Sequence, residues 1–410
     1  MSKHLLFLML TAVTVVGCAQ KPIEVGKTEP LTAQTFMRHW STALNPQAAS
    51  PITAVHVLDQ YVFAYRADGT SSVMDRASGR LLHIDTLRGG EVRIRKPVLM
   101  KDRLVYLTTT YLEVFDLSGR YIPYPIRPSD DISKPFSHEL TYAVHSDAAA
   151  SAKYIFFGAD YRSNGRLVEL DPTRPYVPEI WTMMAPRASI SSGPALTKDT
   201  VFVASESGLV SAVTIENREP VWNTLPNASF GAYDGVTADL IVDEAGLYVA
   251  SNDTKLYCLS PRTGKVLWQY LAGQPLRETP VTTKDLVFQI VPETGLAAIE
   301  KTGPDVKNTA NRTPLWVAGD AVQFLGSDDT YVYAATADHH ISALSRKTGE
   351  RKFLSRRNDF TFFATNTTPD GMIYAADGAF RVYAIKPVLQ SGSIGEVVFV
   401  PAPQSVAIAR

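Results

Sequence analysis

Cysteine is scarce, with two residues in 410, Cys18 near the N-terminus and Cys258 far along the chain. That excludes a disulfide framework and a cysteine-rich metal centre. Excess charge of either sign is missing too: 40 Lys and Arg stand against 41 Asp and Glu, a formal net charge of −1. Nothing in that balance calls for nucleic acid. No Gly/Ser linker or charge run divides residues 51–400, so the length does not demand two domains, because repeat rings grow by adding units. The chain also lacks a Gly-x-Ser-x-Gly elbow, a phosphate-binding glycine loop and a His-Glu-x-x-His pair. Its N-terminal apolar run, Leu5 to Val16, is too short for a comfortable transmembrane helix.

What is present is a repeat. Leu247 to Ser251 and Lys255 to Leu259 are β-branched, aromatic and aliphatic runs of strand length joined by the turn-formers Asn252, Asp253 and Thr254. Ser260-Pro-Arg-Thr-Gly264 supplies a second turn, and Lys265 to Tyr270 gives a third strand carrying Trp268. Weaker copies follow the same order, with Trp222 and Phe353 in corresponding places, and the step from Gly264 to Trp268 returns from Gly349 to Phe353 and from Gly79 to His83. A fourth strand precedes the better hairpins, because the segments beginning at Pro97, Pro194 and Pro280 align without a gap. Hairpins start near Tyr61, Leu104, Tyr154, Val201, Leu247, Leu286, Tyr331 and Met372, a period of roughly 40 to 50 residues that signals propeller blades. The expected fold is all-β: an eight-bladed β-propeller of four-stranded antiparallel blades over residues 51–400, followed by a tail at 401–410. Candidates for closing the ring are Glu396–Val400 and the residues near Ile52–Leu58.

The N-terminus carries a second signal. Lys3, His4 and the apolar run to Val16 have signal-peptide form, and Val15-Val-Gly-Cys18 resembles a bacterial lipobox. The expectation is a leader over 1–17, lipidation of Cys18, and a tether over 18–50. Ala19 is not the aspartate of inner-membrane retention, which by that resemblance points to a lipid anchor in the outer membrane with the domain facing the periplasm. Within the tether Phe36, Met37, Trp40, Ala43 and Leu44 fall at helical spacing, so a short helix is expected over 31–44, packed on the propeller or free for a partner or membrane. Cys258 lies in a repeat strand and reads as a buried packing residue.

The run Leu256-Tyr-Cys-Leu-Ser-Pro-Arg-Thr-Gly-Lys-Val-Leu-Trp268 resembles the repeat of propellers related to pyrroloquinoline-quinone (PQQ) enzymes, and the likeness extends over most of residues 51–387. It implies that Trp181, Trp222, Trp268, Trp316 and, in degenerate form, Phe353 are docking aromatics between blades. The family contains quinone dehydrogenases as well as non-catalytic propellers. The vicinal cysteines of the enzymes are missing here, and Asp160, Asp234 and Asp338 show no ligand spacing. No cofactor or metal is expected, and His339-His340 reads as a solvated turn. Lipobox, length, repeat number and Gly208-Leu-Val-Ser-Ala-Val213 with Pro220-Val-Trp222 are similar to the BamB-type lipoproteins of the outer-membrane β-barrel assembly machinery. The segment from Gly231 to Asp239 departs from that pattern.

The resulting expectation is a non-enzymatic scaffold at the outer membrane that binds protein partners, among them a β-barrel assembly factor, and no nucleic acid. Its contacts are expected on the inter-blade loops, at Arg93, Arg95, Arg277, Glu278, Arg356 and Arg357. The alternatives are an envelope propeller for another protein or a polysaccharide, and a PQQ-dependent dehydrogenase.

Overall fold

The computed structural model describes residues 34–44, 50–87, 95–100, 103–118, 138–140, 142–161, 164–172, 179–185, 188–224, 235–302, 311–355, 359–378 and 380–389. The described residues form eight four-stranded antiparallel sheets and no helix. Blades 1 to 7 are continuous in sequence, at residues 52–86, 98–139, 143–185, 195–224, 241–271, 281–318 and 321–354. Blade 8 takes three strands from residues 360–389 and its fourth from Gln34–Ala43. All eight expected hairpins are found, within a residue or so of their expected starts.

First strands of neighbouring blades approach one another, in blades 2 and 3, 3 and 4, 4 and 5, and 8 and 1, so the first strand of each blade lines the axis. Alternating strand direction then fixes two faces. Turns between first and second and between third and fourth strands lie on one face, called here the turn face. Turns between second and third strands and the inter-blade loops lie on the other, the loop face. Second and third strands are the most buried, Tyr61–Arg66 and Leu247–Ala250 throughout, because neighbouring blades cover both their faces.

Two expectations at the N-terminus are corrected. Residues 34–43, read as part of a helix over 31–44, form a strand antiparallel to Arg381–Leu389. That strand, and neither candidate named above, is the outer strand of blade 8 and closes the ring. The apparent helical spacing arises because the register shifts between Arg38 and Trp40, a bulge that breaks the period of two. Ile52–Leu58 is the inner strand of blade 1. The leader, Cys18 and residues 390–410, including Glu396–Val400, lie outside the described residues.

Candidate functional site

The junctions between blades show how the ring holds its loops. Trp222, Trp268 and Trp316 sit in outer strands opposite Ala212, Cys258 and Ala298, and each indole Nε1 donates to a backbone carbonyl of the next blade: Pro261 at 2.9 Å, Lys301 at 3.1 Å and Arg346 at 3.0 Å. Trp40 does the same across the seam, opposite Ala384 and bonded to the Arg76 carbonyl at 2.8 Å. A Cβ at Gly264 or Gly349 would come within 2.6 Å of Trp222 or Trp316, and one at Gly79 would overlap Trp40; all three glycines have positive φ. The turn glycine, after threonine in blades 5 and 7 and after Ser78 in blade 1, therefore supplies a flat seat for the preceding blade's indole. In blades 1, 3, 4, 5, 7 and 8 a register shift lies beside this docking position.

Other members of the series vary. Phe353 is buried opposite Ala343 and packs with Phe360 and Ile373 of blade 8. Trp181 lies in the outer strand of blade 3 opposite Glu169, and its side chain is outside the described residues. In blade 1 the position belongs to His83, whose Nδ1 is 2.9 Å from Asp85 Oδ1, while Asp85 Oδ2 accepts from Tyr106 of blade 2 at 2.8 Å. Cys258 is fully buried where its neighbours have alanine, and burial pushes its thiol up to about 12. It is a packing residue at pH 7.

A cation on the turn face often reinforces the indole. Lys301 pairs with Asp243, and Arg346 pairs with Asp285, each reaching back to the preceding blade. At the seam Arg76 is bound most fully, to Tyr374 at 2.9 Å, Asp370 at 2.6 Å, Asn366 at 3.1 Å, Thr368 at 2.8 Å and the Asp59 carbonyl at 3.1 Å. A cavity of about 670 Å³ opens beside it, lined in part by His39, Trp40, Asp59, Asp75, Asp370 and Lys386.

Inter-blade loops converge on the axis at the loop face. Gly193 N donates to Asp239 Oδ1 at 2.6 Å, and Asp239 N donates to Thr279 Oγ1 at 3.2 Å, which ties blade 4 to 5 and 5 to 6. Burial, then the nearby Asp147 charge, raises the Asp239 carboxyl to about 6; the Gly193 N–H, Lys96 and Arg95 act against this. Burial lowers His56 to about 4, with Asp147 opposing and Lys96 assisting.

Of the expected contact residues, Arg277 and Glu278 are exposed on the loop between blades 5 and 6. Arg95 is half-buried and turns to blade 3, donating from Nη2 to the Val144 carbonyl at 3.0 Å. Arg93, Arg356 and Arg357 lie outside the described residues, so the structure brings together Arg277 and Glu278 alone. Asp160 accepts from Ser189 at 2.7 Å, Asp338 is exposed in a turn of blade 7, and Asp234 is outside the described residues. His340 Nδ1 is 2.6 Å from the Ser355 carbonyl, while His339 is exposed.

A sequence model of the family described as outer membrane protein assembly factor BamB matches residues 163–387. The chain belongs to this family. No curated protein matches the sequence. Among solved structures, BamB from Moraxella catarrhalis is similar at a TM-score of 0.62 and 16% identity, covering 86% of this chain and all of that one. The computationally designed Ika8 protein gives 0.60 and 14%, covering 86% of this chain and 99% of that one. Quinohemoprotein alcohol dehydrogenase from Comamonas testosteroni gives 0.62 and 10%, covering 90% of this chain and 79% of that one. At these identities the structures share the propeller fold.

Among the described residues, the donor set near the axis does not fit a quinone held on calcium. No group of three or more His, Cys, Asp or Glu side chains is placed to hold a metal among the described residues. The Asp239 carboxylate accepts the Gly193 N–H through Oδ1, and Asp147 Oδ1 lies 3.4 Å from the Lys96 amide.

Sequence reasoning missed Trp40 as a docking residue. The available signal was slight: the eighth hairpin, near Met372, has no tryptophan after it, while Trp40 stands ahead of the first blade. It also missed Arg76, because its partners are some 290 residues away in sequence.

Proposed function

We propose that this protein is a non-catalytic scaffold of the cell envelope, lipidated at Cys18, anchored in the outer membrane and facing the periplasm. There it binds protein partners, a β-barrel assembly factor among them, through its inter-blade loops. The observation that carries this reading is membership of the BamB family, and the lipobox at Val15–Cys18 supports it from sequence. The bonds among Gly193, Asp239 and Thr279, which tie neighbouring inter-blade loops together, suit a frame.

The ring-closing strand adds geometry. Gln34 pairs with Leu389 at the turn-face end of blade 8, so the chain enters the ring on that face. Residues 19–33 would span at most about 50 Å when extended. A lipid on Cys18 would keep the point where the chain enters blade 8 within that reach of the membrane.

Two measurements test the reading. Labelled fatty acid should enter the wild type and be absent from Cys18→Ser. Cross-linking and co-purification from membranes should enrich an outer-membrane barrel assembly factor; its absence, with another envelope protein or a polysaccharide in its place, would overturn the assembly role. Reduction of a dye with alcohols or sugars after adding quinone and calcium would overturn the non-catalytic assignment.

A further inference from the structure

We propose that the loop between blades 5 and 6 is a built docking element, receiving a polypeptide segment that presents a carboxylate to Arg277 with basic side chains beside it. The proposal rests on the scaffold reading above and names the surface that reading needs.

The loop is held at both flanks. Ala272 N donates to the Thr254 carbonyl at 2.9 Å and Leu276 N to the Ser251 carbonyl at 3.1 Å, while the Leu276 side chain is fully buried. On the blade 6 side, Gln289 Nε2 donates to the Glu278 carbonyl at 2.9 Å and to the Ile290 carbonyl at 3.0 Å. Gln289 has no exposed surface. Its place in the strand is set by the register: Phe202, Tyr248 and Phe288 face Ala195, Ile241 and Val281, so the next residues, Val203, Val249 and Gln289, correspond. Blades 4 and 5 use valine there. Burying an amide in that apolar position opposes folding unless it is bonded, and here Nε2 is bonded while Oε1 has no partner among the described residues. The bond it makes to another segment goes to Glu278, so its effect is to fix the loop.

Fixing the loop presents two charges. Arg277 and Glu278 are exposed, and among the described residues neither side chain has a hydrogen-bond or ion-pair partner. That contrasts with the turn face, where Arg76, Lys301 and Arg346 all meet an aspartate. Glu293 of the adjacent turn is exposed as well. The loop face of this sector thus carries one exposed guanidinium and two exposed carboxylates, which is complementary to an acidic residue among basic ones. Arginine can grip a carboxylate through two parallel N–H bonds, and a loop already ordered loses little freedom when a partner arrives.

The test uses the full-length protein and, as probe, the purified periplasmic region of an outer-membrane β-barrel assembly protein from the same cell. The double variant Arg277→Glu with Glu278→Arg keeps the net charge and should weaken binding tenfold or more. Gln289→Val should retain the wild-type Tm, speed amide hydrogen exchange at residues 276–278 and weaken binding threefold or more. If the wild type binds and the swap stays within twofold, with Arg277→Gln as a check on folding, the docking element is overturned while the scaffold reading stands. Unchanged exchange in Gln289→Val overturns the role of Gln289 as a positioning residue. Failure of the wild type to bind the probe overturns the proposal and the assembly reading together.

Discussion

The junction between blades 6 and 7 and the seam between blades 8 and 1 are built from the same parts. Each has an indole seated on a glycine of positive φ, an Nε1 bond to a turn carbonyl, and an arginine reaching an aspartate of the preceding blade. Covalent context separates them. Trp316 belongs to a strand continuous with blade 6 and leading into blade 7, so its attachment is backed by the chain on both sides. Trp40 lies in a strand joined by the chain to blade 1 alone; its hold on blade 8 is non-covalent. Closing a ring over so long a loop opposes folding by an amount that grows slowly with length, and the seam has the denser set of side-chain bonds to offset it.

The comparison is sharpened first by the indoles. Trp40→Ala should destabilise by about 3–5 kcal/mol and Trp316→Ala by less, because loss of Trp40 also releases the closing strand. Chemical denaturation of the two variants would decide it, and an equal or smaller loss at Trp40 would break the comparison. Next come the seats. Gly79→Ala and Gly349→Ala should each lose about 2–4 kcal/mol through strain and overlap with the indole. Gly273→Ala is the control: φ is +79° but nothing lies within 4 Å, so about 1 kcal/mol is expected.

The cations should differ more modestly. Arg76→Ala should lose about 1–3 kcal/mol, since it leaves several partly buried acceptors unbonded. Arg346→Ala should lose no more than about 1 kcal/mol, because Asp285 is 61% exposed and solvent screens the pair. Raising the salt concentration should shrink the effect of Arg346→Ala and leave most of that of Arg76→Ala.

The smallest effects concern pH at the axis. Asp239 binds its proton more tightly folded than unfolded, so its contribution to stability falls as pH rises from about 4 to about 6. His56 does the reverse: its stability is present above its ordinary value of 6.5 and is lost as pH falls toward about 4. The two slopes oppose each other in the wild type. Asp239→Asn should remove the first and leave stability rising between about pH 4 and 6.5, which denaturation at a series of pH values would show. A flat profile in that variant would deny His56 its part.

Blade number and strand order could be read from the chain, because hairpin turns and period-two runs are local properties repeated in one register; the four-residue step from a turn glycine marked Trp268, while Trp222 and Trp316 were named through the resemblance of the repeat. His83 was found by the same four-residue step, as a departure within that register. Of the loop residues named from the sequence, Arg277 and Glu278 stand exposed, whereas Arg95 turns inward to a carbonyl of blade 3.

What the sequence determined by itself was therefore the unit and its repetition, since each blade's strands and turns follow from residues within a few positions of one another. Only the tertiary structure decided how the ring ends. Whether Gln34–Ala43 is a helix or a strand is settled by the open edge at Arg381–Leu389, more than 330 residues away, and by the seat that Gly79 provides for Trp40. The same holds for Gln289, whose amide looks misplaced among valines until the carbonyl of Glu278 is brought beside it. Both depend on unpaired backbone groups meeting across the fold, and the free energy of such meetings is written in no local pattern.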